Sequence, residues 1–138
     1  MTSRVLIVDD DEGEIELLSE FLEETVDGIR AVTESARVEE VFREYEPDLV
    51  ILDLHMPPPD GFEVLRRLRG LRDRIGFLPV LVLTADETAV AKKTSLILGA
   101  DEFITKPVDR GELVLRVRNL LRTRELFLAS REGRPTED

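Results

Sequence analysis

Residues 49–61 read LVILDLHMPPPDG. An apolar run ends in one carboxylate, Asp53, and a proline-rich turn follows at once. Apolar residues on both sides of an acid describe a buried strand that delivers a single charge to a surface. A charge placed that way is costly unless something pairs with it. The rest of the chain supplies partners: Asp9 and Asp10 early, Thr84 in the middle and Lys106 late.

The strand itself runs from Asp48 to Leu52. After the turn, Phe62, Leu65 and Leu68 recur at helical spacing, with Arg66, Arg67 and Arg69 on the wet face. Upstream, Val5 to Val8 is a short apolar strand that stops at Asp9, Asp10, Asp11 and Glu12. Ile15, Leu18 and Leu22 then mark an amphipathic helix, which Asp10 or Asp11 is placed to cap. Ile29 to Thr33 is a second strand candidate flanked by charge, and Val38, Val41 and Phe42 predict a short helix closed before Pro47. Downstream, Leu78 to Leu83 is a fourth strand ending at Thr84. Val90, Thr94, Ile97 and Leu98 predict the inner face of the next helix, with Gly99 as its C-terminal glycine. Phe103 and Ile104 lie in a fifth strand that runs into Lys106 and Pro107. Asp109 caps a last helix with Leu113, Val117, Leu120 and Leu121 inward.

Alternating strands and helices predict an α/β fold, a doubly wound five-stranded parallel sheet with helices on both faces. The first, third and fourth strands are continuous apolar runs, as expected of strands covered on both faces. The second and fifth are short and mixed, as expected at edges. The order 2-1-3-4-5 satisfies both conditions. Winding then switches between strands one and three, and ligands in such sheets sit at that switch, outside the carboxyl ends of the strands. Asp9, Asp10, Asp53, Thr84 and Lys106 are all expected at that one rim.

Composition narrows the functional classes. The chain has 138 residues, no cysteine and one histidine, so disulfides, thiolate metal sites and histidine-rich metal sites are excluded. A formal net charge of −11 argues against direct nucleic-acid binding. No apolar run approaches the ~20 residues that span a bilayer, and MTSRVLIVDD reaches acid too soon for a signal peptide. A cytoplasmic protein with no membrane partner is the expectation. A dinucleotide-binding fold is disfavoured, because no GxGxxG follows the first strand.

Carboxylates gathered in one small pocket repel each other, and a divalent cation relieves that repulsion. Hard oxygen ligands without thiolate suit Mg²⁺ or Mn²⁺. A cation, a lysine and a hydroxyl around one carboxylate make a place for a phosphoryl group. The carboxylate is then a nucleophile that can become an acyl phosphate.

Five motifs stand in order at the expected strand ends: VLIVDDD (5–11), DLHMPPPDG (53–61), LVLTA (81–85), GAD (99–101) and TKP (105–107). Together they resemble the receiver domain of two-component response regulators, of the chemotaxis-regulator type, over about Arg4 to Leu121. The resemblance implies a flavodoxin-like fold and a set of residue roles. Asp53 is the implied phosphoacceptor. Asp10, Asp53 and the backbone carbonyl of His55 bind Mg²⁺, with Asp9 acting through a water. Lys106 contacts the phosphoryl group and precedes a cis proline. Thr84 and Phe103 form the switch pair, and His55 and Asp86 tune dephosphorylation. Phe103 stands where tyrosine is frequent, so the ring has no hydroxyl to anchor either state. Pro59 stands where methionine is frequent. The implied partners are a histidine kinase or a histidine phosphotransfer protein, and an output domain or partner protein met by the face of the fourth helix, fifth strand and fifth helix. The implied function is a signalling module that catalyses only its own phosphorylation and autodephosphorylation.

Two rival readings belong to other classes. A Mg²⁺-dependent aspartyl-phosphate phosphatase usually carries a second acid two residues past the nucleophile, where this chain has His55. A binding-only pseudo-receiver requires a missing site residue, and none is missing. The expected layout is a receiver domain over 1–124 and a helical extension with a disordered tail over 125–138. Arg116, Arg118, Arg122 and Arg124 make the last helix basic, read as a solvated face. Leu126, Phe127 and Leu128 continue its apolar pattern, as a connector to an output domain or a homodimer contact. Both a fragment of a larger regulator and a stand-alone receiver fit this composition.

Overall fold

The structure is a computed structural model that describes residues 3–75, 77–86 and 88–132. Five strands, β1 (Arg4–Val8), β2 (Gly28–Val32), β3 (Leu49–Asp53), β4 (Val80–Thr84) and β5 (Glu102–Thr105), form one sheet. Its order is β2-β1-β3-β4-β5, and every neighbouring pair is parallel. The helices are α1 (Glu12–Leu22), α2 (Val38–Tyr45), α3 (Gly61–Ile75), α4 (Ala89–Ile97) and α5 (Arg110–Glu132). This is the doubly wound α/β fold expected from the strand compositions. β3 and β4 are buried at every position, whereas β2 and β5 at the edges are only partly covered.

The two-residue period of the strands divides the core in two. Leu6, Val8, Val50, Leu52, Val80 and Val82 point to one face, where Val38, Val41 and Phe42 of α2 and Val64, Leu65 and Leu68 of α3 cover them. Val5, Ile7, Leu49, Ile51, Leu81 and Leu83 point to the other, against Leu18 and Leu22 of α1 and Leu113, Val117 and Leu120 of α5. Leu98, Ala100 and Phe103, around the end of α4 and β5, belong to the α2–α3 side.

The inner face of α4 is not the one expected. Val90 is 74% exposed and Ile97 65%, while Ala91 and Ser95 are buried. Two stripes overlap on this nine-residue helix and meet at Leu98, its C-cap. The smaller side chains of Ala91 and Ser95 turn inward, and the Ser95 hydroxyl is satisfied by donating to the Lys92 carbonyl at 2.9 Å. After α4 the backbone passes through Gly99 at φ 114°, a conformation that favours glycine.

α5 runs unbroken past residue 124 to Glu132, so the stretch expected to be disordered, Arg131 to Asp138, is helical at its first two residues; residues 133–138 lie outside the described residues. The expected solvated basic face of α5 is corrected in part. Arg124 donates to Asp48 Oδ1 at 3.3 Å and to the Phe77 carbonyl, and Arg116 pairs with Glu102 at 3.1 Å. Each spends its charge on an acid or carbonyl that tertiary folding brings to it, while Arg118 and Arg122 stay exposed. Beyond Arg124, Phe127 packs its ring 6.0 Å from that of Phe77.

Leu68 is fully buried between α3 and the sheet, remote from the rim. Leu68→Ala is expected to lower unfolding free energy by about 2–5 kcal/mol, through lost transfer energy and the cavity left behind. Urea denaturation followed by circular dichroism checks this, with a lower midpoint at unchanged slope.

Candidate functional site

The carboxyl ends of β1, β3, β4 and β5 deliver the chemistry to one rim, as the strand order requires. Asp9 and Asp10 follow β1, Asp53 is the last residue of β3, Thr84 the last of β4, and Lys106 follows β5. Carboxylate oxygens of Asp9, Asp10 and Asp53 all lie within 4.8 Å of one another. Asp9 and Asp53 are buried, at 1% and 6% exposure, and Asp10 is exposed.

Each buried group is held by a backbone donor close in sequence. Asp9 Oδ1 accepts from the Asp11 N–H at 2.9 Å, and Asp53 Oδ1 from the His55 N–H at 3.2 Å. Thr84 Oγ1 accepts from the Asp86 N–H at 3.1 Å, which leaves its own proton free to donate. Asp11, one of the two candidates, is the cap of α1, its carboxylate accepting from the N–H groups of Gly13 and Glu14. Asp10 is thereby left facing the site.

The turn after β3 has a backbone reason for its glycine. The N-terminus of α3 sits directly on the strand end, and Gly61 donates to the Leu54 carbonyl at 3.0 Å. A Cβ on Gly61 would lie 2.3 Å from Leu54 Cα and 2.6 Å from the Asp53 carbonyl oxygen. Any larger residue would push the loop that carries Asp53.

Lys106 is the positive centre of the rim. Its Nζ lies 3.4 Å from Asp9 Oδ2, 3.7 Å from Asp53 Oδ2 and 3.8 Å from Glu14 Oε1. The Lys106–Pro107 peptide is cis, as the resemblance implied. Burial works against the lysine's charge, but Asp9, Asp53 and Glu14 outweigh it and raise the Lys106 pKa. Burial raises the pKa of Asp9, and the Asp53 charge adds to it. The Asp11 N–H and Lys106 offset only part of that rise. One lysine does not neutralise this many acids, so the donor set suits a hard divalent cation.

Glu14 is the residue that sequence reading missed. The first turn of α1 brings it over Lys106. Its only signal was its place one turn into the helix that follows an acidic strand end. His55 is exposed, and Phe103 is half-buried against the α2–α3 side of the core. The Asp86 carboxylate accepts from the Thr88 N–H at 2.9 Å. That contact lowers its pKa, with a smaller contribution from His55.

Comparison with known proteins bears directly on this arrangement. A model of the response regulator receiver domain matches residues 5–118. The chain belongs to that family. The receiver domain is 37% identical over 140 residues to the alkaline phosphatase synthesis transcriptional regulatory protein PhoP of Bacillus subtilis, covering 99% of this chain and 56% of that protein. It is 40% identical over 119 residues to the DNA-binding dual master transcriptional regulator RpaA of Synechocystis, covering 86% and 49%. The receiver domain thus spans about half the length of the curated relatives it matches. Among solved structures, it resembles the BeF3-activated N-terminal receiver domain of Klebsiella pneumoniae RstA. The TM-score is 0.79 and the identity 30%, over 87% of this chain and 99% of that one. No helix among the described residues is long and apolar enough to cross a membrane.

The raised Asp9 pKa sets a sign for stability. The folded state holds that proton more tightly than the unfolded chain, so Asp9 favours folding below 3.8 and loses that contribution as pH rises through its folded value. At neutral pH without metal, the ionised carboxylate is a burden. Asp9→Asn is expected to stabilise the metal-free receiver domain at pH 7 by about 0.5–2 kcal/mol and to weaken Mg²⁺ binding. Paired urea titrations with and without Mg²⁺ check both. A variant less stable than wild type in metal-free buffer contradicts the expectation.

Proposed function

We propose that this receiver domain is a phosphorylation switch in which Asp53 accepts a phosphoryl group from a histidine kinase or a histidine phosphotransfer protein. The observation that carries the proposal is Lys106 Nζ, 3.7 Å from Asp53 and 3.4 Å from Asp9 at a rim of gathered acids. A carboxylate beside a fixed ammonium is a nucleophile with charge stabilisation already in place.

A carboxylate oxygen of Asp53 attacks phosphorus. The bond from phosphorus to the donor nitrogen breaks, and the donor leaves with the electron pair and takes up a proton. Lys106, held protonated by its acidic neighbours, meets the phosphoryl oxygens. Asp9, Asp10, Asp53 and the His55 carbonyl would hold Mg²⁺ or Mn²⁺. When bound, the cation neutralises these acids and shields charge on the transferred group. Thr84 uses its free proton to bond a phosphoryl oxygen, and Phe103 moves inward behind it. The surface of α4, β5 and α5 changes with them, a shift between two states biased by one covalent group. His55 and Asp86, above the rim, influence the water that later hydrolyses the acyl phosphate.

In this reading residues 1–124 are the receiver and residues 125–138 lead to an output. The names of PhoP and RpaA favour transcriptional control by a DNA-binding output domain, while this acidic domain itself meets protein partners, a second copy among them. A cytoplasmic location follows from kinase donors that draw on ATP.

The decisive experiment is intact mass after incubation with acetyl phosphate, with and without Mg²⁺. Wild type is expected to gain one phosphoryl group only with the metal, and Asp53→Asn to gain none. An unmodified wild type that also fails to bind beryllofluoride would overturn the proposal. A second measurement follows the decay of the phosphorylated domain. His55→Ala and Asp86→Ala are each expected to change the hydrolysis rate severalfold, and unchanged rates in both would remove their tuning role.

A further inference from the structure

A cavity of about 500 Å³ lies at the opposite end of the sheet, around the amino ends of β1 and β3. A five-residue strand separates it from the phosphoacceptor rim by about 16 Å. Arg4 of β1, Phe42 and Arg43 of α2, Pro47, Leu71 of α3 and Arg124 of α5 line it. Its volume falls in the range of ordinary small-molecule sites, roughly 300–1,000 Å³.

The lining has two chemical parts. Phe42, Pro47 and Leu71 offer an apolar wall, with Phe42 and Pro47 buried. The arginines bring positive charge into a chain whose net charge is −11. Two acids, Glu46 and Asp48, share the lining with the three arginines, which leaves one positive charge over. Both oxygens of Asp48 are already engaged, Oδ1 by Arg124 and Oδ2 by the Arg4 N–H at 2.8 Å. Among the described residues Arg43 pairs with Glu39 across a long, exposed contact of 3.8 Å, a weak pair in water.

Arg4 is the informative residue. Its guanidinium lies 5.8 Å from the Tyr45 ring centroid, and one terminal nitrogen donates to the Glu46 carbonyl at 3.0 Å. Its Nε is buried with no hydrogen-bond partner among the described residues. A buried donor on a charged group is expensive to leave unmet. That nitrogen is enclosed by protein, so a bound anion would meet the terminal nitrogens of Arg4 instead.

We propose that this cavity binds a small organic anion, its carboxylate or phosphate group held by Arg4 and Arg43 and its apolar body resting on Phe42, Pro47 and Leu71. Planar guanidinium forks match either oxyanion. Because Arg124 closes the cavity while tying α5 to Asp48 and Phe77, the ligand also touches the anchor of the long C-terminal helix. The site does not depend on Asp53 or on the acidic rim.

The test uses the full chain labelled for amide NMR, with benzoate and phenyl phosphate as the two anionic probes and benzyl alcohol as the neutral control. At least one anion is expected to shift the amides of Phe42, Leu71 and Arg124 saturably, with a Kd at or below about 1 mM. Benzyl alcohol is expected to bind at least about tenfold more weakly, and Arg4→Gln and Arg43→Gln to lose at least about tenfold in affinity. Asp53→Asn is expected to bind as wild type does, which separates this site from the phosphorylation reading. Arg43 is exposed, so its variant keeps the test valid if Arg4→Gln disturbs β1. Equal binding of benzyl alcohol, shifts confined to the acidic rim, unchanged affinity in Arg43→Gln, or no saturable shift would each overturn the proposal.

Discussion

Everything at the functional rim depends on one ammonium group among acids. Lys106 sits between Asp9 and Asp53 and beneath Glu14, and without it the buried carboxylates would face only one another. Even with it, burial first and the Asp53 charge second keep the Asp9 pKa raised. Folding therefore holds a repulsive cluster in place, and hydrophobic burial elsewhere must supply the energy to do so. The two core layers supply it: β3 and β4 are apolar and fully covered up to their last residues, Asp53 and Thr84, where polar chemistry begins.

The positions of these groups follow from the parallel sheet. Parallel strands all present their carboxyl ends to the same side, so four strand ends bring Asp9, Asp53, Thr84 and Lys106 together although 97 residues separate Asp9 from Lys106. Short local devices then fix each group. Backbone N–H groups two residues downstream hold Asp9, Asp53 and Thr84, and Gly61 lets α3 begin against the backbone of Asp53. The rim rests on strand ends, while His55 in the loop after β3 is exposed and Asp86 in the loop after β4 is half-buried.

The amino end of the sheet is organised by different charges. Asp48 accepts from Arg4 on one oxygen and from Arg124 on the other, so one carboxylate ties β1 to α5. Phe127 then lies against Phe77, which carries the anchoring of α5 beyond the family match at residue 118. A receiver domain of this shape has a chemical end and a mechanical end, joined by the length of the sheet.

Much of this was readable in the sequence by itself. The apolar runs of β1, β3 and β4, against the mixed β2 and β5, determined the strand order, because strand composition reports how many faces are covered. That order, with a polar residue at each strand end, determined which side chains meet. Tertiary structure decided what local pattern leaves ambiguous. Two stripes compete on α4, and packing chose Ala91 and Ser95 over the more apolar Val90 and Ile97, since small side chains let the helix lie close. Glu14 became part of the rim only when packing of α1 on the sheet face set its first turn over Lys106. Arg116 and Arg124, which resemble any solvated arginines in sequence, found Glu102 and Asp48 through folding. Periodicity states what a residue can face, but the partner of a charge comes from a distant part of the chain, and only the folded structure brings the two together.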